Sequence, residues 1–165
     1  SSSSTISFTS GIDSTYDEYI FKYINVHPAS NSYLTVGFRD GSTAYDATKT
    51  TTAFRAQHDE SGGNGQLDYA ASWDLAQSTA YQPLAPDIGD GNDECASGTM
   101  HLFAPSSTTF VKHFIAVTNQ YHPSDFSQVW YMAGYCNVTA AIDGVQFKMS
   151  SGDIASGTFK MYGVS

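Results

Sequence analysis

The sequence predicts an all-β domain, an antiparallel β-sandwich of jelly-roll type, and three observations carry that expectation. Apolar residues recur with period two in one segment after another, turn-forming clusters separate the segments, and a helical period is almost absent. Two packed antiparallel sheets satisfy this arrangement, because each then hides its one apolar face; an up-and-down barrel is the alternative. A chain of 165 residues suits one such domain.

Taken in order, Ile6 and Phe8 alternate with Ser7 and Thr9. Tyr19, Phe21 and Tyr23 alternate with Ile20, Lys22 and Ile24, and Leu34, Val36 and Phe38 with Thr35, Gly37 and Arg39. The signal returns at Met100 and Leu102, over residues 110–118 and 129–135, at Val145, Phe147 and Met149, and at Phe159 and Met161. About nine strands are expected. Asp40-Gly41-Ser42, Ser61-Gly62-Gly63-Asn64-Gly65, Pro105-Ser106-Ser107, Asp143-Gly144 and Ser151-Gly152-Asp153 supply turns. Residues 99–118 read as a hairpin with Pro105 in its loop, since proline cannot donate to a ladder. Residues 69–77, with Ala70, Ala71, Trp73, Leu75 and Ala76, suit a short helix or a strand equally. Residues 1–4 form a flexible serine-rich leader to a single domain over residues 5–165, and no internal repeat suggests a solenoid or propeller.

Seven lysines and arginines stand against sixteen aspartates and glutamates, a formal net charge of −9, so nucleic acid is a poor partner. No apolar run is long enough to span a bilayer as a helix, and no membrane partner is expected. Serine and threonine total 38 residues while charged residues are 14%. A neutral-polar surface over an aromatic core follows.

Motifs for catalysis are missing. His27, His58, His101, His113 and His122 form no His-Glu-x-x-His pattern, although His101 and His113 fall on the two arms of the expected hairpin, where satisfied structural histidines are favoured over a metal pair. There is no Gly-x-Ser-x-Gly elbow or Ser-x-x-Lys, and the 61–65 glycine loop lacks the lysine and helix of a phosphate cradle. No enzyme is expected. The densest acidic stretch offers Asp87, Asp90, Asp93 and Glu94 on a glycine-hinged loop, the hard oxygen ligands that calcium takes, with a solvated acidic loop as the alternative. No other cofactor is expected. Asp13, Asp17 and Glu18, and the pair Asp59 and Glu60, are lesser acidic groups; a glycosidase would need two carboxylates about 5 to 10 Å apart.

Cys95 and Cys136 are the only cysteines, and either one disulfide or two free thiols fits their number. Asn137-Val138-Thr139 is a glycosylation sequon. Eleven tyrosines are the more informative residues: Tyr16, Tyr33, Tyr45, Tyr81 and Tyr121, in or near loops, present flat amphipathic rings for a sugar or a partner subunit.

Three stretches carry a resemblance: Gly11-Ile12-Asp13-Ser14-Thr15-Tyr16 running into residues 19–28, His101-Leu102-Phe103-Ala104-Pro105 running through Phe114, and residues 142–164 with Gln146-Phe147-Lys148-Met149 and Gly157-Thr158-Phe159-Lys160-Met161. Across nearly its whole length the chain resembles a family of small virion structural proteins of marine tailed bacteriophages. The resemblance implies a non-enzymatic protein on the exterior of the particle, a head decoration, knob or fibre component. Its partners would be other virion proteins and copies of itself in a homo-oligomer, with a trimer favoured by analogy with other fibres and decorations. It also implies a start preceded by further residues that has been processed or truncated. The alternative function is a carbohydrate-binding or receptor-binding module that meets a host surface glycan.

Overall fold

The computed structural model describes residues 2–165, and among them no helix forms. Eleven strands make two antiparallel sheets: β1 (Ile6–Phe8), β2 (Glu18–Pro28), β3 (Ser32–Arg39), β4 (Lys49–Asp59), β5 (Gln66–Tyr69), β6 (Gln82–Ile88), β7 (Ala96–Phe103), β8 (Lys112–His122), β9 (Phe126–Cys136), β10 (Gly144–Met149) and β11 (Ile154–Val164). The smaller sheet has the order β1-β10-β3-β6, and the larger β11-β2-β7-β8-β9-β4-β5.

With the β8–β9 hairpin and β11 set aside, the pairings nest. β4 meets β5, β3 meets β6, β2 meets β7 and β1 meets β10. That is one long hairpin rolled up so that successive pairs fall in alternate sheets, the jelly roll expected from the alternation. The β8–β9 hairpin widens the larger sheet between β7 and β4, and β11 extends it beyond β2.

Period-two burial builds the core. Tyr19, Phe21 and Tyr23 of β2, Phe114 of β8 and Trp130 of β9 face Leu34, Val36 and Phe38 of β3 and Val145 and Phe147 of β10, all essentially without exposure. Phe147 lies at the centre of a ring cluster, with centroids 5.9 Å from Phe21, 6.0 Å from Tyr23 and 5.2 Å from Phe159. Within the larger sheet the Tyr23 hydroxyl meets that of Thr118 at 2.5 Å, over the intervening β7.

Several expectations need correction. Eleven strands form where about nine are expected, and the eight segments named from the alternation leave out β4, β5 and β6. In β4 the inward positions are Lys49, Thr51 and Ala53 while Phe54 is outward, so its alternation runs opposite to the usual polarity. β6 carries Pro83 and Pro86, which an edge strand tolerates. Residues 69–77 form neither a helix nor a full strand: β5 ends at Tyr69, and the chain then crosses back to β4, with Thr51 N–H donating to Leu75 C=O at 2.8 Å and Lys49 bridging Ser78. Backbone groups that a helix would pair internally are engaged across the sheet edge instead.

The serine leader is also held more firmly than expected. Ser1 lies outside the described residues, but Ser3 exchanges backbone hydrogen bonds with Ile154 at 3.0 and 2.9 Å, and the Ser2 hydroxyl donates to Asp153. Cys95 and Cys136 stand at opposite ends of β8, beside Tyr121 and Lys112 respectively, and both are free thiols. The separation of nine strand residues, about 30 Å, rules out a bridge between them.

Candidate functional site

Each outer sheet face presents a distinct surface. On the larger sheet, Tyr131 lies between Val117 and Phe54, and Phe54 beside Tyr69; Ala133 lies between Ile115 and Thr52. The Phe54 and Tyr131 rings stack at 4.7 Å with an interplanar angle of 5°. Ile24, Phe54, Leu67, Tyr69, Ile115 and Tyr131 are all exposed, Leu67 to 73%. Because Ala133 is small among larger neighbours, a depression of about 450 Å³ opens there, rimmed by His113, Ile115 and Tyr135. Of the three carboxylates that these seven strands carry, Asp59 and Asp68 share the inward parity of Ala53, and only Glu18 points out, where it pairs with His101. A chain of net charge −9 thus keeps this face nearly free of negative charge.

His101 lies opposite Ile115 rather than His113, and His113 packs edge-on to Tyr135, so the two histidines do not form a metal pair across the hairpin.

On the smaller sheet the outer face is aromatic. The connection between β5 and β6 brings Trp73 to Tyr33, edge to face at 4.7 Å, and lays Tyr81 against β3. Gly37 permits this: a Cβ there would stand 2.6 Å from Tyr81 Cε1 and 2.9 Å from the Tyr45 carbonyl oxygen. The Tyr81 hydroxyl donates to Gln146 Oε1 at 2.6 Å, and Lys148 Nζ sits 4.1 Å from the Tyr81 ring centroid. Tyr33, Trp73, Tyr81, Asp74 and Lys148 line a groove of about 350 Å³.

Of the five tyrosines singled out from sequence, Tyr33 and Tyr81 share this groove and Tyr45 lies beside it under the Arg39 guanidinium. Tyr16 packs on Tyr19, and Tyr121 bonds Asp125 near the far end of β8, so neither joins the groove. Sequence reasoning missed Trp73 and Lys148. Trp73 lay in the ambiguous 69–77 segment; Lys148 was legible only as an outward position of the β10 alternation.

The acidic loop does not converge. Asp87 belongs to β6, the Glu94 carboxylate turns back onto the Gly91 N–H, and Asp90 N–H donates to Asn31. Among the described residues no three His, Cys, Asp or Glu side chains are grouped to hold a metal. Asp93 instead lines a hollow of about 430 Å³ with His58, Asp59, Glu60, Cys95 and Tyr121. Asp59 is committed there to its own loop: it accepts from Gly63 N–H at 2.7 Å, from Asn64 and from the Ser61 hydroxyl, which together hold its carboxyl below the usual range. The lesser acidic group near the N-terminus is used similarly, Asp13 accepting from Thr15 N–H and Tyr19.

A buried cationic row lies inside the larger sheet. Lys49, Cys136 and Lys112 are cross-strand neighbours on β4, β9 and β8, all without exposure. Lys112 Nζ donates to the Ser107 and Val138 carbonyls, and Lys49 Nζ to that of Ala47 at 2.7 Å. Burial lowers both lysines and pushes the Cys136 thiol up to about 12, so that thiol is protonated and sealed away from substrates. Its neighbourhood serves to close the loops that end the sandwich.

Comparison with protein-family models, with curated proteins and with solved structures gives no match for this chain.

Proposed function

We propose that the protein is a non-enzymatic structural subunit of the exterior of a virion, assembling with copies of itself through the outer face of its larger sheet. The observation that carries this reading is that face: exposed aromatic and aliphatic side chains around the Ala133 depression, with Glu18 as its one strand-borne carboxylate. Exposed apolar side chains gathered on one face mark interaction surfaces, and the opposed Lys22 and Lys160 put the only strand-borne cationic pair at its β2–β11 end. Seven strands spaced about 4.8 Å apart and about 20 Å long offer roughly 600 Å². Two copies would then bury roughly 1,200 Å² in total, the lower bound for a stable specific interface. The jelly-roll order supports the same reading by analogy of fold, because capsid subunits use it.

Sedimentation of the purified chain tests the proposal. A native mass at a multiple of 17.8 kDa is expected. Ile115→Glu, which sets a charge among exposed side chains without touching the core, is expected to return the protein to a monomer with an unchanged melting temperature. A wild-type protein that stays monomeric at high concentration, or an I115E oligomer indistinguishable from it, would refute the proposal.

A further inference from the structure

The groove on the smaller sheet's outer face has a chemistry that self-assembly does not use. Three of its donors make no hydrogen bond to the protein among the described residues: the Tyr33 hydroxyl, the Trp73 indole N–H and the Lys148 ammonium. The only carboxylate in the groove, Asp74, accepts from the Tyr69 hydroxyl, and the ion pairs among the described residues are Arg39–Asp143, Arg55–Asp68 and His101–Glu18, so Lys148 has no anionic partner. All three side chains are half-buried among neighbouring rings: Tyr33 meets Trp73 edge to face at 4.7 Å, Trp73 also packs on Trp130 at 6.3 Å, and Lys148 lies over Tyr81.

In a protein with sixteen carboxylates, a pocket that presents three unpaired donors suits a ligand rich in acceptors, which Lys148 can hold on the side away from Asp74. Its aromatic walls add flat apolar area for a ring edge or face, and a volume of about 350 Å³ falls within the range of small-ligand sites. We infer that this groove binds a carboxylated pyranose, a uronic-acid residue of a surface polysaccharide, with its ring against Tyr33 and Trp73 and its carboxylate on Lys148. A neutral sugar would satisfy the hydroxyl and indole donors but leave the half-buried ammonium without a counter-charge. The site lies on the opposite side of the sandwich from the face assigned to assembly, so the inference stands independently of it.

Titration of the intact chain with galacturonate and glucuronate oligosaccharides, and with their neutral galactose and glucose counterparts, tests this by calorimetry and by tryptophan fluorescence. Trp73 lines the groove and Trp130 is buried, so a saturable fluorescence change reports on Trp73. Expected are saturable binding of a uronate and at least tenfold weaker binding of its neutral counterpart. Lys148→Gln is expected to weaken uronate binding about tenfold, about 1.4 kcal/mol, and to erase the preference while the melting temperature holds. Tyr33→Ala is expected to abolish the fluorescence change. Absence of any saturable signal, equal binding of acidic and neutral sugars, or a K148Q protein that binds uronate as the wild type does would each overturn the inference.

Discussion

Replacing Phe147 by alanine is expected to lower the unfolding free energy by about 3 to 5 kcal/mol. Phe147 belongs to the smaller sheet, yet its ring contacts Phe21, Tyr23 and Phe159 of the larger one and Phe8 of β1, all within 6.3 Å between centroids. The lost area is therefore taken from the seam between the two layers, and the backbone ladders on both sides of β10 limit how far the cavity can collapse. Against a total of about 5 to 15 kcal/mol such a loss decides whether the domain is folded at growth temperature. Urea titration should show a lower midpoint with an unchanged slope. Phe147→Leu, which keeps most of the volume, should cost less than half as much; a loss below about 1 kcal/mol in the alanine variant would show that the two layers are not fastened here.

The second large effect is in alkaline solution. Burial pushes the Cys136 thiol from its ordinary value near 9 up to about 12. Between those values the unfolded chain has released the proton that the folded chain keeps, so each further unit of pH removes about 1.4 kcal/mol. Tyr23, also buried and raised, acts in the same direction above pH 10. Lys49 and Lys112 oppose them: burial lowers both, the unfolded chain holds the extra protons, and their contribution to stability rises with pH up to about 10.5. Cys136→Ala is expected to flatten the decline between pH 9 and 12 by up to about 4 kcal/mol. Superimposable stability profiles for the wild type and C136A, measured by urea unfolding across that range, would exclude the thiol as its source.

Much of the architecture was legible because burial obeys period two. β2, β3 and β10 put aromatic or aliphatic residues at alternate positions and the sheets hide those positions, while β8 and β9 hide Phe114, Ala116, Trp130 and Met132 in the same period and turn Ile115 and Tyr131 outward. β4 escaped notice because it reverses this logic: its inward lysine and threonine are satisfied by carbonyls and by Gln82, as where Thr51 Oγ1 donates to Gln82 at 2.6 Å, while Phe54 is needed outside to stack on Tyr131. The Ala47 carbonyl is only two residues from Lys49, but Gln82 and Tyr131 lie dozens of residues away and leave no local trace. The candidate groove was half legible for a similar reason. Tyr33 and Tyr81 could be singled out as loop-borne rings, but the approach of Trp73 depends on the chain crossing back to β4, and the isolation of Lys148 depends on where every carboxylate went. The acidic loop shows the converse, an evident local cluster whose members bond to different parts of the chain.

The nested pairing also governs how the molecule must be made. β1 meets β10 across residues separated by about 140 positions, as in the Ile6–Phe147 register, and β2 meets β11 across a similar span. β10 is the strand that joins β1 to β3, so the smaller sheet exists only in part until the last quarter of the chain is present. The local hairpin β8–β9 can form early, whereas closing the roll pays the entropy of very long loops and places folding on the slow, millisecond-to-second side of the range for single domains. During that interval β2 and β3 wait with open edges and uncovered aromatic faces. The hazard of joining the wrong neighbour is therefore greatest before the final strands arrive.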